Sequence, residues 1–484
     1  MSISSALSTA QQIFNNTGTQ TSVTSTNIAN TQNANYAKRT AVLASSGNGA
    51  LVVTTTREQN EPLLRQTIAS TSLASGQSTL AAGLEEIRGL LGGNDYETSM
   101  STVMSTLLNN IGAYAAKPSE ATLAATAVSS AQDVANTLNT TSKNLQAIRA
   151  RADAEIKTQV DDLNKLLAQF ETANTSVLKA KAVGKVDNDA LDTRDTLLKQ
   201  ISSIVGVTST VRAEGDMALY TTDGTTLFET VPRNVSFTPT TTYVASVTGN
   251  SITIDGERMK PGTGGDTNAS GSLQALLQIR DDVAPKFQSQ LDEIARGLIV
   301  SFAETGPDKD APQPAMAGLF TNGTDDSVDN TGVAQVGLAE TISVNTLVKE
   351  KPTLLRDGGI NGTAYEWNTA ANTSYSTLLD NFTQLMQSDQ AFDETTGAGG
   401  NMSLMSYASD SVGWLEALRS SSTTADETKS AMQSRAETAL SSETGVSLDE
   451  ELSLLLDIEQ SYKAATKLVS TIDEMMDALL AAAG

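Results

Sequence analysis

The apolar positions of the first thirty residues fall on one seam. Ile3, Leu7, Ala10, Phe14, Thr17, Thr21, Thr24 and Ile28 recur at alternating steps of four and three, the spacing of a heptad stripe on a helix. The second half of the seam offers Thr where larger apolar groups would hold more firmly, and Gly18 weakens it further. Such a helix is marginal by itself, so the segment is expected to be loose in isolation and to order against partners. The opposite end carries a stronger stripe through Leu448, Leu452, Leu455, Ile458, Tyr462, Ala465, Val469, Ile472, Met476 and Leu479. Ser447 reads as its N-cap with Glu450 at the reciprocal position, and Asp449 and Glu451 suit the first turn.

Between these ends the helical period returns several times. Leu80, Leu84, Ile87 and Leu91 share one face, and Met104, Leu107, Leu108 and Ile111 another. After Pro118 a single stripe runs through Val134, Leu138, Leu145, Ile148, Ala152, Ile156, Leu163, Leu166, Phe170 and Val177 with neither Pro nor Gly before Gly184. At 1.5 Å per residue, roughly 60 residues make a rod of about 90 Å. From Val205 to Met259 the period changes to two, with turn pairs Asp223-Gly224, Gly249-Asn250 and Asp255-Gly256, which predicts a small antiparallel β unit. Leu273 to Phe302 restores the helical stripe, with Pro285 expected to kink that helix or mark its true start. Residues 306–370 are rich in turn formers around one strand-like run, Thr341 to Val344, before helical patterning resumes at Leu378 and again from Met402.

The pattern predicts a mainly α fold with a β insertion, an α+β molecule. Residues 1–60 are expected to pair with 440–484 in a long helical stalk. Residues 61–204 form a long-helix bundle completed by 270–305 and 370–440, residues 205–265 the β unit, and residues 306–369 a variable mixed insert.

Charge sharpens the distinction between the ends. No charged side chain occurs before Lys38 and Arg39, whereas the segment from Gly445 onward has eight acidic residues against Lys463 and Lys467. The basic pair, as a cationic corner beside that helix, could therefore fix subunit register, or be an exposed pair of no consequence. Over the 484 residues, 32 Lys and Arg face 56 Asp and Glu, a formal charge of -24. That balance argues against nucleic acid or an anionic membrane as partner. The chain has no Cys and no His, which removes disulfides, thiolate nucleophiles, zinc clusters and His acid–base chemistry; no cofactor or metal is expected. No apolar run suits a membrane span, and the N-terminus lacks the basic and apolar regions of a secretory signal.

Two motifs carry a resemblance. Asn27-Ile28-Ala29-Asn30 followed by Tyr36-Ala37-Lys38-Arg39 resembles the N-terminal signature of flagellar rod, hook and hook-associated proteins, with Asn35 where that family usually has Gly. Asn tolerates the left-handed backbone Gly would supply. Gly445-Val446-Ser447-Leu448-Asp449-Glu450-Glu451, followed by Tyr462 and Ala464, is similar to the C-terminus of the hook-associated branch. Leu191 to Asp195 and Gly271 through Arg280 to Phe302 fit it as well. The resemblance implies a secreted, extracellular, non-enzymatic subunit at the hook-filament junction, exported unfolded through the flagellar type III channel. Its implied partners are like copies in a ring, the hook protein, the third hook-associated protein and a cytoplasmic export chaperone. Its implied assembly residues are Ile3, Leu7, Phe14, Asn27, Ile28, Asn30, Tyr36, Arg39, Leu448, Leu452, Leu455, Tyr462, Val469, Ile472, Met476 and Leu479.

Other readings remain beside it: another axial subunit of hook, rod or filament type, or a surface-carried enzyme acting on glycans through paired carboxylates. Asp192, Arg194 and Asp195, like Asp281 and Asp282, read as solvated or capping groups near helix starts. The Gly-rich stretches at Gly262 and Gly397 lack the Lys-Ser/Thr of a phosphate loop and read as linkers.

Overall fold

The computed structural model describes residues 3–46, 49–308, 310, 312–323, 328–329 and 331–483. The chain opens with α1 (Ile3–Ala29), then the antiparallel hairpin of β1 (Arg39–Ser46) and β2 (Gly49–Arg57). The body follows: α2 (Glu61–Gly89), α3 (Met100–Ala116), α4 (Ala121–Ala182) and α5 (Asn188–Ile204). Local chemistry marks these boundaries. Asn60 accepts from the Leu63 amide, with Pro62 in the first turn of α2, and Ser99 and Asp187 cap α3 and α5 through Thr102 and Ala190. The long rod read from the sequence is α4, 62 residues in one helix.

The stretch of period two forms two small sheets rather than one unit. In the first, β3 (Val207–Val211), β4 (Met217–Thr221) and β5 (Thr226–Phe228) run antiparallel; in the second, β6 (Val235–Ser236), β7 (Thr253–Ile254) and β8 (Glu257–Arg258) do so. Asp223-Gly224 and Asp255-Gly256 make the expected tight turns, the latter with φ of 52° and 91°. Gly249-Asn250 does not. The chain from 237 to 252 is drawn out of any ladder because polar groups on its neighbours engage it. Asp153 on α4 accepts from the Thr240 amide at 2.8 Å and the Tyr243 hydroxyl at 2.7 Å, and the Asn250 carbonyl accepts from Arg280 at 2.7 Å.

Arg280 sits in a π-helical turn, Ile279–Val283, that joins α6 (Ser272–Gln278) to α7 (Ala284–Ser301) in one continuous helical stretch, so Pro285 falls just past the π turn inside the helix and does not mark its start. Arg280 is fully buried and pairs with Asp153 at 2.6 Å and Asp281 at 2.7 Å. Asp282 pairs with Lys286 at 2.8 Å. Reading Asp281 as solvated is corrected here: the π turn faces Arg280 inward, and Asp281 is the carboxylate beside it.

Next come β9 (Phe320–Asn322), α8 (Leu338–Thr341), β10 (Ile342–Val344), α9 (Thr346–Glu350) and α10 (Leu354–Asp357). Strand β10 falls on the predicted run and pairs antiparallel with β9. Beyond them lie α11 (Thr377–Gln387), the two-stranded β11 (Asp389–Ala391) and β12 (Asn401–Ser403), and two long helices, α12 (Leu404–Thr444) and α13 (Leu448–Ala483).

Two buried cores share α4. One joins its first half to α2, α3, α7, α11 and α12, and takes in Phe320, Ile342 and Val344 of the insert. The other joins its second half to α5, α6 and the two β sheets. Among the described residues neither core includes α1, the hairpin or α13. Those elements form a separate stalk.

Candidate assembly interface

The stalk is an antiparallel pair. Phe14 of α1 meets Tyr462 of α13 edge-on with ring centroids 5.1 Å apart. From Phe14 to the end of α1, and from the start of α13 to Tyr462, each helix runs about 21–23 Å. Both inner ends therefore arrive at one level, where residues 30–38 and 445–447 cross to the body. The buried seam is Ala10, Thr17 and Thr24 on α1 against Ile458, Ala465 and Ile472 on α13.

At that crossing Asn27 is 1% exposed. Its Nδ2 donates to the Arg39 carbonyl at 2.9 Å, and its Oδ1 accepts from the Arg39 amide at 3.1 Å and the Tyr36 hydroxyl at 2.7 Å. One amide thus ties the last turn of α1 to the first residue of β1 and to the buried ring of Tyr36, whose hydroxyl burial raises its pKa. The intervening turn is closed by Asn33 Oδ1 accepting from the Asn35 amide at 3.1 Å, with Asn30 Nδ2 donating to Thr26 O at 2.9 Å. Asn35 does not adopt the left-handed backbone expected of it; the Asx turn at Asn33 supplies the bend instead.

Two charge clusters flank the crossing. Lys38 Nζ reaches Glu450 at 2.7 Å and Glu451 at 3.8 Å, and the Lys38 amide donates to Thr444 O at 2.8 Å. The hydrogen bond to Glu450 raises the Lys38 pKa and lowers that of Glu450. Ser447 caps α13 through the Glu450 amide at 3.5 Å, but the Glu450 carboxylate turns to Lys38 rather than back to the cap. Arg39 turns the other way. It stacks on Tyr36, 4.8 Å from the ring centroid, and pairs with Asp189 and, at 3.3 Å, Asp192 on α5. Arg57, at the end of β2, pairs with Asp192 at 2.7 Å and with Asp195. Arg194 is buried and donates to Gly215 O at 2.8 Å. The reading of Asp192, Arg194 and Asp195 as solvated is therefore corrected: Asp192 and Asp195 are the body's half of a clamp, and Arg194 holds the Gly215 turn within the body. Arg57 and the hairpin were missed, and the signal available was the β-branched run of Val and Thr between two Arg.

The implied assembly residues divide into three groups. Asn27, Tyr36 and Ile472 are buried; Ile3, Phe14, Ile28, Asn30, Arg39, Leu455 and Val469 are half-buried. Leu7, Leu448, Leu452, Tyr462, Met476 and Leu479 are 44–55% exposed, so much of the apolar stripe on α13 stays uncovered within one chain. A cleft of about 670 Å³ lies beside the crossing, lined by Asn33, Tyr36, Arg57, Asn60, Asp195 and Ser441. Stalk and body thus meet through a polar clamp and not through a shared core. Its Asp carboxylates are held by Arg, which suits attachment. Among the described residues no group of side chains is arranged for a metal ion, and no helix is long and apolar enough to cross a membrane.

Residues 84–305 match the family described as the flagellar hook-associated protein FlgK helical domain, and residues 439–482 the C-terminal region of flagellar basal body rod FlgEFG proteins. Flagellar hook-associated protein 1 of Bacillus subtilis is 24% identical over 83% of this chain and 80% of its own length. Its namesake from Salmonella typhimurium is 24% identical over 74% and 66%, and that from Escherichia coli 22% over 62% and 56%. The chain thus spans four fifths of the Bacillus relative and less than two thirds of the E. coli one. A solved structure of the flagellar hook junction protein FlgK from Burkholderia pseudomallei aligns over 55% of this chain and 49% of its own, at 18% identity and a TM-score of 0.43, too slight a likeness to bear on the argument. In its helical domain, its terminal segment and these relatives, the chain is similar to the flagellar hook-associated protein 1 family over most of its length.

Proposed function

We propose that this chain is a structural, non-catalytic subunit of the flagellar axis, set at the junction of hook and filament as a ring of like copies held through α1 and α13. The observation that supports this best is the stalk itself, a terminal helix pair outside both cores whose larger helix keeps an uncovered apolar stripe. Exposed stripes of this kind on a paired element mark a surface to be covered by other chains. Export in an unfolded state, with the hook protein, the third hook-associated protein and a cytoplasmic chaperone as partners, completes the proposal by family likeness. The implied assembly residues belong to it on the same footing.

Deleting the gene tests the reading. Cells should build hooks and release filament subunits into the medium, and filaments still attached to hooks would overturn it. Loss of the hook itself would point instead to a hook or rod component.

A further inference from the structure

The tripeptide Asn-Gly-Thr occurs at residues 322–324 and again at 361–363, and the fold treats the two asparagines in opposite ways. Gly after Asn leaves the following amide nitrogen open to approach, since no Cβ stands beside it. That nitrogen can attack the Asn side-chain carbonyl, so each site is a candidate for conversion of the amide to an acid without an enzyme. Asn361 is guarded. Its backbone amide and its Nδ2 donate to Glu304 Oε2 at 2.6 and 2.9 Å, Nδ2 also donates to Ala317 O at 2.9 Å, and the Gly362 amide is engaged by Gly359 O at 3.2 Å. Glu304 is 3% exposed, so a buried negative charge lies against the amide on which an oxyanion would have to form.

Asn322 meets the opposite influence. It is the last residue of β9, and Gly323 beyond it has φ of 61°, with nothing among the described residues within 4 Å of where a Cβ would stand. Thr341, at the end of α8, donates its hydroxyl to Asn322 Oδ1 at 2.6 Å, the Leu338 carbonyl lying further off at 3.3 Å. A donor on that oxygen draws electron density from Cγ and stabilises the oxyanion that forms when Cγ is attacked.

We propose that Asn322 is a self-modification site, with the Thr341 hydroxyl as its activating donor. Hydroxide takes the Gly323 amide proton, and that nitrogen bonds to Asn322 Cγ. The Cγ–Nδ2 bond breaks and Nδ2 leaves as ammonia with a proton from water, closing a cyclic imide. Water then opens the ring at either carbonyl, giving aspartate, or isoaspartate in which the main chain runs through the side-chain carbon. Either product puts a carboxylate where β9 pairs with β10, at Asn322 opposite Ile342, and isoaspartate lengthens the backbone there by a methylene. Phe320, Ile342 and Val344 of that sheet lie in the first core, so the modification bears on how the insert is held to the body.

The full-length chain is aged in mildly alkaline buffer and mapped by peptide mass spectrometry, with isoaspartate labelled by a protein isoaspartyl methyltransferase. The same chain held in denaturant is the reference, because there the two tripeptides are chemically alike and should convert at similar rates. In the folded chain conversion is expected at Asn322 and not at Asn361. Thr341→Val should slow it about fivefold or more and Thr341→Ser should restore it, with circular dichroism to check that each variant folds. A folded chain in which Asn322 stays intact, or converts no faster than Asn361, overturns the proposal. An unchanged rate at Asn322 in folded Thr341→Val overturns the role of the hydroxyl and with it the proposed activation.

Discussion

Replacing Asn27 by Ala should open the crossing without unfolding the body. Three groups depend on that side chain: the Arg39 amide, the Arg39 carbonyl and the Tyr36 hydroxyl. A hydrogen bond contributes about 1 kcal/mol net, and a buried group left without a partner costs about 1–3 kcal/mol. Tyr36 is buried, while water can reach part of the Arg39 backbone once the side chain is gone, so the sum is about 3 kcal/mol, or roughly a hundredfold in the local opening equilibrium. Tyr36→Phe removes one of the three bonds and leaves Asn27 Oδ1 holding the Arg39 amide, so it should cost only about 1 kcal/mol. Native-state hydrogen exchange at Arg39 reads both, because it reports opening of this element rather than of the whole chain. Protection of the Arg39 amide should fall about a hundredfold in Asn27→Ala and less than tenfold in Tyr36→Phe, with amides of α4 unchanged in both. Equal effects from the two variants, or no change at Arg39 in Asn27→Ala, would show that the side chain does not hold the crossing.

Arg280→Met should destabilise the body by about 3–5 kcal/mol in chemical denaturation, since it strands the buried carboxylate of Asp153, and adding Asp153→Asn should recover part of the loss; independent, additive costs would refute the pairing. Burial pushes Asp292 up to about 6 even though it accepts from the Ala339 and Gly337 amides and from Gln288. A raised carboxyl pKa means the folded state binds the extra proton, so its contribution is fullest below pH 4 and is lost as pH rises to about 6, by about 3 kcal/mol. Asp292→Asn should abolish that part of the decline, and denaturation curves of the two proteins that stay parallel between pH 4 and 7 would refute it. Gly18→Ala should raise the helix content of the free chain, gaining about 1 kcal/mol in α1 where there is room for the methyl group; unchanged circular dichroism would count against a marginal α1.

What the sequence disclosed depended on range. Helix α4 was legible because one stripe from Val134 to Val177 runs unbroken by Pro or Gly, and the start of α13 because Gly445 and Ser447 punctuate it locally. A cationic corner beside the acidic C-terminal helix was legible from composition, since the two ends differ so sharply in charge, but that Lys38 alone turns to the first turn of α13 while Arg39 turns to α5 was not. Asp192 was not: its partner Arg57 lies 135 residues away, and a carboxylate near a helix start looks the same in sequence whether it is solvated or paired. The residues between β6 and β7 misled for a related reason. Their alternation suits a strand, but Asp153 and Arg280, both distant in sequence, claim the polar groups a ladder would have used. Asn35 misled locally, because Asn33 two residues earlier could make the turn as well.

The contrast between α1 and the body explains why the clamp sits where it does. Among the residues α1 buries, Ala10 alone is apolar; Asn16, Thr17, Thr24 and Asn27 are not. Ordering a residue costs about 1–2 kcal/mol in backbone entropy, and isolated helices are marginal even at greater propensity than this Ser/Thr-rich segment has. One chain therefore supplies α1 with a direction, through Asn27, Tyr36 and Lys38, but with little apolar burial along its length. On the proposed reading the burial comes from neighbouring copies, so direction and stability are separate properties set by different residues. Weakening the clamp should leave helices that can still associate but point wrongly from the body, whereas placing charges on the exposed apolar stripe of α13 at Leu452, Met476 or Leu479 should leave a correctly aimed stalk that associates poorly.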